Sequence, residues 1–290
     1  MKTGFIGAGK AGFTLGKYFA VNGIELSGYY SRSRKSAEEA ARFAGCTSYE
    51  DISELVSDSD VIFITTPDSA IKDTYLKIYR YNISNKQICH CSGAMSAGEA
   101  FPEIEQQGAQ GFSIHPLFPI SSKYESYKEI GRAFFTIEGD SRHIDEWKIL
   151  FEGMGNPVKI LSGEHKTEYH AACAAASNLV CALIAESTEL MTKCGFTQKE
   201  SLKALEPLIT ANIRGIIKSD PVSALTGPVE RCDCETVRRH IRCFEKETDR
   251  KIYLSLSLKL TELARKKHPE TDYSELEKML KDEWKRRNSQ

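Results

Sequence analysis

Residues 1–36 read MKTGFIGAGKAGFTLGKYFAVNGIELSGYYSRSRKS, and three glycines, Gly7, Gly9 and Gly12, follow directly on the short apolar run that ends at Ile6. Beyond them Phe13, Leu15, Tyr18 and Phe19 recur at helical spacing up to Gly23, a helix stop. Strand, glycine turn and helix in this order give GxGxxG a physical meaning. Gly7 permits the tight turn, Gly9 lets the backbone approach a pyrophosphate, and Gly12 lets the helix pack closely on its strand. The free N–H groups and dipole of the helix then face the phosphates, so Gly7, Ala8, Gly9, Lys10, Ala11 and Gly12 form a candidate dinucleotide cradle.

The same alternation continues outward. TGFI, ELSGYY, CTSY, VIFITT, QICHC, GFSIH, AFFTIE and PVKIL read as strands, and KSAEEAARFAG, DISELVSD, SAIKDTYLKIY, SAGEAFPEIEQQG and SRHIDEWKILFEGMG read as the helices between them. This pattern predicts an α/β fold, a Rossmann-type doubly wound, mostly parallel sheet over residues 1–162. From Gly163 the strand signal stops. Helical stretches at roughly 164–194, 197–218, 234–267 (broken near Thr248) and 272–287 predict an all-α C-terminal domain over 163–290.

An acid about 20 residues beyond the glycines marks an NAD-preferring fold. Here that place holds Ser31, Arg32 and Ser33. A guanidinium grips a 2′-phosphate that an acid would repel, so NADP is the expected cofactor, with NAD the alternative. In VIFITTPDSAI, Thr66, Pro67 and Asp68 end a strand and fall at its C-terminal edge against the same cofactor, although a plain turn explains Pro67 and Asp68 almost as well.

Two further strand ends are candidates for chemistry. In HCSGAM, Ser92 and Gly93 offer a small hydroxyl and an uncluttered backbone for the nicotinamide or a substrate carboxylate. In FSIHPLFP, Pro116 keeps His115 extended at the end of its strand, and an imidazole that titrates near neutrality suits the proton that accompanies a hydride. Within EHKTEYHAACAAASN, His170, Ala174, Ser177 and Asn178 fall on one helical stripe among small side chains, where a ligand or a second helix can come close. Lys166, one turn before His170, tends to keep that imidazole neutral. Arg231, in the loop DPVSALTGPVERCDC, can clamp a carboxylate or form a surface ion pair, while Asp233 reads as a helix cap. His115, His170, Asn178, Ser92 and Arg231 are thus the candidate catalytic and substrate-orienting residues.

With 290 residues and a net charge of −1, the chain carries no charge field that would draw it to nucleic acid or an anionic membrane, so a small-molecule substrate is the expected partner. No continuous apolar run reaches the roughly 18 residues of a membrane span, and the first strand leaves no room for a signal peptide; a cytoplasmic protein with nine reduced cysteines is expected. Cys89 with Cys91 and Cys232 with Cys234 are too closely spaced for a structural zinc site, and no metal is expected.

GFIGAGKAG, TTPDSAI, HCSGAMSAGEAF, SIHPLFP, YHAACAAASN and LTGPVERCDCETV together resemble a family of Rossmann-type proteins labelled NADP oxidoreductases, with a helical C-terminal domain of unknown function and no assigned substrate. More distantly the chain is similar to the group containing 6-phosphogluconate and β-hydroxyacid dehydrogenases, pyrroline-carboxylate reductase, ketopantoate reductase and prephenate dehydrogenase. That likeness implies a helical domain that closes over the nicotinamide and forms a homodimer. β-Hydroxyacid dehydrogenases carry a catalytic Lys with an Asn one turn later; a similar place here offers His170, with Ala174 one turn on and Asn178 two turns on. The His-Pro pair at His115 resembles that of prephenate dehydrogenases, where the histidine contacts the substrate hydroxyl. The expected activity is hydride transfer between NADP and a small carboxylated hydroxy or oxo, or amine or imine, compound, with His115 or His170 handling the proton. The alternative is a protein that binds NADP(H) without turnover, as a sensor or a partner-binding module.

Overall fold

The computed structural model describes residues 1–286, and the ends of the helix predicted over 272–287 and of the domain predicted over 163–290 lie outside them. The chain divides into two compact units, Met1–Ser177 and Asn178–Gln290. The first unit therefore runs on past Ser162, the expected boundary.

Eight strands build the first unit: β1 (Thr3–Ile6), β2 (Leu26–Tyr30), β3 (Thr47–Ser48), β4 (Val61–Ile64), β5 (Gln87–His90), β6 (Gln110–Leu117), β7 (Phe134–Gly139) and β8 (Val158–Ile160). They form one sheet in the order β3-β2-β1-β4-β5-β6-β7-β8, parallel throughout except where β7 runs antiparallel to β6. The helices are α1 (Lys10–Val21), α2 (Arg34–Ala44), α3 (Ile52–Asp58), α4 (Asp68–Ile78), α5 (Ala97–Ala100), α6 (Ile144–Gly153) and α7 (Lys166–Ala176). β1, β4 and β5 are buried along their whole length, as strands covered on both faces must be. Successive residues supply opposite cores. Phe5, Phe63 and Cys89 join α1 and α6 in one cluster, while Ile6, Ile62, Ile64 and Ile88 join α4 in the other.

The strand order reverses between β1 and β4, which opens the crevice where such sheets bind ligands. There the turn into α1 is held against β4. Gly7 sits at φ +116°, and a side chain on it would come within 2.9 Å of the Thr65 backbone. A Cβ on Gly12 would strike the Gly7 carbonyl and lie 2.6 Å from Thr65 Oγ1. Gly9 is different, for its only neighbour would be Thr65 O at 3.9 Å.

Two predicted helices are interrupted. SAGEAFPEIEQQG forms the one-turn α5 and a separate 3-10 turn at Ile104–Gln107, because Pro102 forces Phe101 out of the helical region and Glu103 turns to φ +56°. The stretch expected at 164–194 breaks at Ser177, whose backbone sits at φ −125°, ψ −72° and whose hydroxyl donates back to Cys173 O at 2.7 Å. Back-bonding of this kind bends helices. His170 and Ala174 therefore share a helix, whereas Asn178 opens the next one, so the four-residue stripe is not continuous.

The second unit is helical, with α8 (Asn178–Lys193), α9 (Gln198–Lys218), α10 (Pro221–Ala224), α11 (Cys234–Arg242), α12 (Glu247–Lys267) and α13 (Ser274–Lys285). Its core gathers Val237, Ile241, Leu254, Ala264, Leu276 and Leu280. The break expected near Thr248 falls just before it, between α11 and α12. Contrary to the expectation that nothing spans a bilayer by length and composition, residues 163–193 meet that measure, the single such stretch among the described residues, with 6% of the apolar window buried.

Gly12→Ala should cost about 1–3 kcal/mol of stability, the usual penalty for forcing atoms into a closed space, and should loosen the β1–α1 turn. Urea unfolding measures it; a variant as stable as the wild type would contradict the packing.

Candidate active site

A cavity of about 340 Å³ lies over the carboxyl ends of β1, β2 and β4. Gly7, Ala8 and Gly9 form one wall, Ser31 and Arg32 a second, and Thr66 and Pro67 a third. Three features suit a dinucleotide. Gly9 is the N-cap of α1 and lacks a side-chain cap, so the N–H groups of Lys10, Ala11 and Gly12 begin the helix beside the turn. Gly9 also presents bare backbone to the open side. Thr66 Oγ1 is buried without a hydrogen-bond partner, a polar atom that a ligand would satisfy.

Ser33 departs from its expected role. It caps α2, its Oγ accepting the Ser36 N–H at 3.3 Å and the Ser36 hydroxyl at 3.1 Å, and it is Ser36 that reaches the cavity wall. Arg34 is held by Glu38 at 2.8 Å and Glu50 at 2.7 Å, which leaves Arg32 as the guanidinium at the end of β2.

A second cluster forms at the ends of β5 and β6. Ser92 and Gly93 follow β5, His115 lies half-buried near the end of β6 between the buried Ile114 and Pro116, and α7 brings Lys166, Tyr169 and His170. His115 and His170 converge on Gly93: a Cβ there would lie 2.8 Å from His170 Cδ2 and 2.9 Å from His115 Nε2. Tyr169 Oη lies 2.7 Å from His115 Nδ1 and fixes the ring. His170 is exposed on the same side.

Ser92 was expected to present a hydroxyl to the ligand, and the structure corrects this. Its Oγ donates to Asp68 Oδ2 at 2.7 Å and accepts the N–H groups of Ala94 and Met95, each at 3.2 Å. Its N–H donates to His90 Nδ1 at 3.1 Å, and its carbonyl accepts Lys166 Nζ at 3.1 Å and Ser113 Oγ at 3.2 Å. Every polar group of Ser92 is committed to building the turn, so the residue positions its neighbours. Neither Ser92 nor Gly93 lines the cavity over β1.

Sequence reasoning noted Lys166 only for its charge beside His170 and did not place it in the site. Lys166 is 2% exposed, its amine also donates to Ser113 Oγ at 2.7 Å, and among the described residues it forms no ion pair within 4 Å. Burial lowers its pKa, partly offset by the nearby carboxyl groups of Glu138 and Asp68. Its place one turn before His170 was visible, but a lysine on a helix is read as solvated unless the packing is known.

His115 also departs from expectation. Burial first, then the Lys166 charge, push its pKa down to about 4, so it stays neutral at pH 7. His90, fully buried with Nε2 unpartnered, falls to about 3 for the same two reasons. Asn178, which opens α8, and Arg231, in the turn before α11 with its N–H donating to Gly227 O at 3.1 Å, belong to the second unit. Asp233 caps α11 through Thr236 N at 3.0 Å.

A doubly wound sheet with a glycine cradle at its switch point is the architecture of a Rossmann dinucleotide-binding domain. Residues 1–89 match the model of the oxidoreductase family with an NAD-binding Rossmann fold, and residues 133–260 match a domain of unknown function, DUF2520. The chain thus joins a Rossmann NAD-binding domain to that C-terminal domain. It is similar to the protein TM1727 from Thermotoga maritima, at 26% identity and TM-score 0.70 over 91% of this chain and 98% of that one. A Bacteroides fragilis protein, BF3122, provisionally named an NADP oxidoreductase, shows 21% identity and TM-score 0.72 over 90% and 98% of the two chains. An imine reductase from Myxococcus stipitatus, in complex with NADP+, shows 14% identity and TM-score 0.64 over 92% and 93%. These last two attest to the fold. No curated protein sequence matches the chain.

The two neutral histidines set a pH dependence. Their folded pKa values lie below the unfolded value near 6.5, so on acidification the unfolded chain binds protons first. Stability is full above about pH 6.5 and falls toward about pH 4, by up to about 1.4 kcal/mol per pH unit for each site. Urea midpoints at pH 7 and 5.5 should show this slope, and His115→Gln should flatten it; equal slopes would remove the assignment.

Proposed function

We propose that this protein is an NADP-dependent oxidoreductase that interconverts a small carboxylated oxo compound and its hydroxy form. The observation that carries the reading is the convergence of His115, His170 and the buried Lys166 on the Ser92–Gly93 turn, at the same sheet edge as the dinucleotide cradle. Bound NADP(H) supplies or accepts the hydride. The chain's own groups handle the oxygen and the proton. His115, neutral above about pH 4, is a hydrogen-bonding partner for the reacting oxygen rather than a store of acid. Lys166 holds the proton, since its desolvated amine releases one more readily than a solvated lysine does. His170, exposed beside Gly93, connects that oxygen to solvent.

The electrostatics favour an oxo acid over a cationic iminium. Lys166 is the one cation buried in the cluster. Asp68 is exposed, and the Glu138 carboxyl, raised above its ordinary range by burial, is engaged by the Ala97 N–H at 2.7 Å. An approaching carboxylate gains from the amine, whereas an iminium is repelled.

NADPH oxidation assayed across oxo-acid and imine panels tests the reading. Lys166→Met should lower turnover by about 10²-fold or more, the usual worth of a positioned acid, while cofactor affinity stays within about twofold. Saturable NADPH binding with no turnover on either panel would replace this reading with the sensor. Asn178→Ala and Arg231→Ala, if these residues orient the substrate, should raise KM more than they lower kcat.

A homodimer completes the proposal. Within the second unit α9 exposes Leu202, Leu208, Ile213 and Ile217, the last at 79%, and an apolar cavity of about 800 Å³ is lined by Leu183, Leu190, Phe244, Ile252 and Leu256. A ridge and a hollow of the same character on one unit are what a second copy would cover, and they include Leu183 and Leu190 of the exposed apolar helix α8. Light scattering should give a dimer, and Leu208→Glu with Ile217→Lys should yield monomers; a monomeric wild type would refute it.

A further inference from the structure

The cofactor cavity carries a second cation that the glycine motif does not announce. Lys77, on the last turn of α4, lines the same cavity as Arg32, which enters from the end of β2. Arg34 and Lys35 flank Arg32 in sequence, but Arg34 is engaged by Glu38 and Glu50, and neither residue reaches the cavity wall. Arg32 and Lys77 are thus two cations, from elements far apart in the chain, that face one space and form no ion pair among the described residues. Asp73, one turn before Lys77 on α4, also lines the space, and even this acid at the favourable helical spacing does not capture the Lys77 amine. The hydroxyl-bearing residues Ser31 and Ser36 complete that wall.

We propose that Lys77 is a specificity-determining residue that, with Arg32, selects the 2′-phosphate of NADP over the free ribose hydroxyl of NAD. The inference rests on the cofactor reading above and deepens it. A phosphate monoester carries close to two negative charges near neutrality, and one solvated guanidinium compensates them incompletely. A guanidinium from β2 with an ammonium from α4 matches that charge from two directions. Asp73 sharpens the effect, since removing Lys77 leaves an uncompensated acid beside the phosphate. The Lys77 side chain is exposed, so its replacement does not disturb a core.

The test separates the phosphate from the rest of the cofactor. Calorimetry of the full-length protein with adenosine 2′,5′-bisphosphate and with AMP, and fluorescence titration with NADPH and NADH, are run on the wild type, Lys77→Met, Lys77→Arg and Arg32→Met. The expected result is that Lys77→Met weakens the bisphosphate and NADPH by about tenfold, the scale of one charge-assisted contact at a partly exposed site, and changes AMP and NADH by less than about twofold. Lys77→Arg should restore most of the preference, and raising the salt should narrow the wild-type ratio. Equal weakening of AMP and the bisphosphate by Lys77→Met, or an unchanged ratio, would overturn the inference while leaving NADP binding in place. Wild-type protein that binds NADH as tightly as NADPH would also overturn it. Failure of folded wild-type protein to bind any pyridine nucleotide would remove the cofactor reading as well.

Discussion

A hydrogen bond from Thr65 Oγ1 to the carbonyl of Gly7, 2.9 Å long, clasps the first turn of the chain to the end of β4. The rest of the first unit depends on that closeness. Two adjacent parallel strands reach the crevice together only if the turn leaving β1 lies flat on its neighbour, and no side chain fits between them at Gly7 or Gly12. With the turn seated, α1 starts at the crevice with its N–H groups unsatisfied, Gly9 opens to the outside, and Thr66 is left with a buried hydroxyl in want of a partner. The anion site is therefore a consequence of packing rather than an addition to it.

The second cluster is organised by an opposite principle, complete satisfaction of polar groups. Ser92 uses its N–H, carbonyl and hydroxyl to bind His90, Lys166, Ser113, Asp68 and two backbone amides. A buried ammonium is costly unless its hydrogen bonds are met, and the Ser92 carbonyl and Ser113 hydroxyl meet two of them. The remaining cost appears as a lowered lysine pKa and two imidazoles held neutral. Electrostatic tension of this kind is characteristic of reactive sites, which need groups whose charge state is easily changed.

Much of the fold was legible because its signals are local. The glycine spacing, the alternation of Phe5 with Ile6 and of Ile62, Phe63 and Ile64, and the amphipathic run of α1 each declare themselves within a few residues. The misjudged elements were also locally caused, by Pro102 in one helix and by the Ser177 hydroxyl in another, but the strength of such a break depends on what the surrounding structure tolerates. In the site, His115, His170 and Gly93 were picked out by their residue types and strand ends. Ser92 was picked out for the wrong reason, Lys166 was noted only for its charge beside His170, and Lys77 was not picked out.

Sequence alone determined the periodicities, the turn chemistry and the absence of an acid after β2, since steric and hydrogen-bonding preferences act over neighbouring residues. Only the tertiary structure decided which charges lose water and which hydroxyls are already spoken for. Lys166 is buried by strands more than fifty positions away, and Arg32 and Lys77 line one crevice from β2 and α4. Desolvation is a property of everything packed around a group, and it has no signature in the residues beside it.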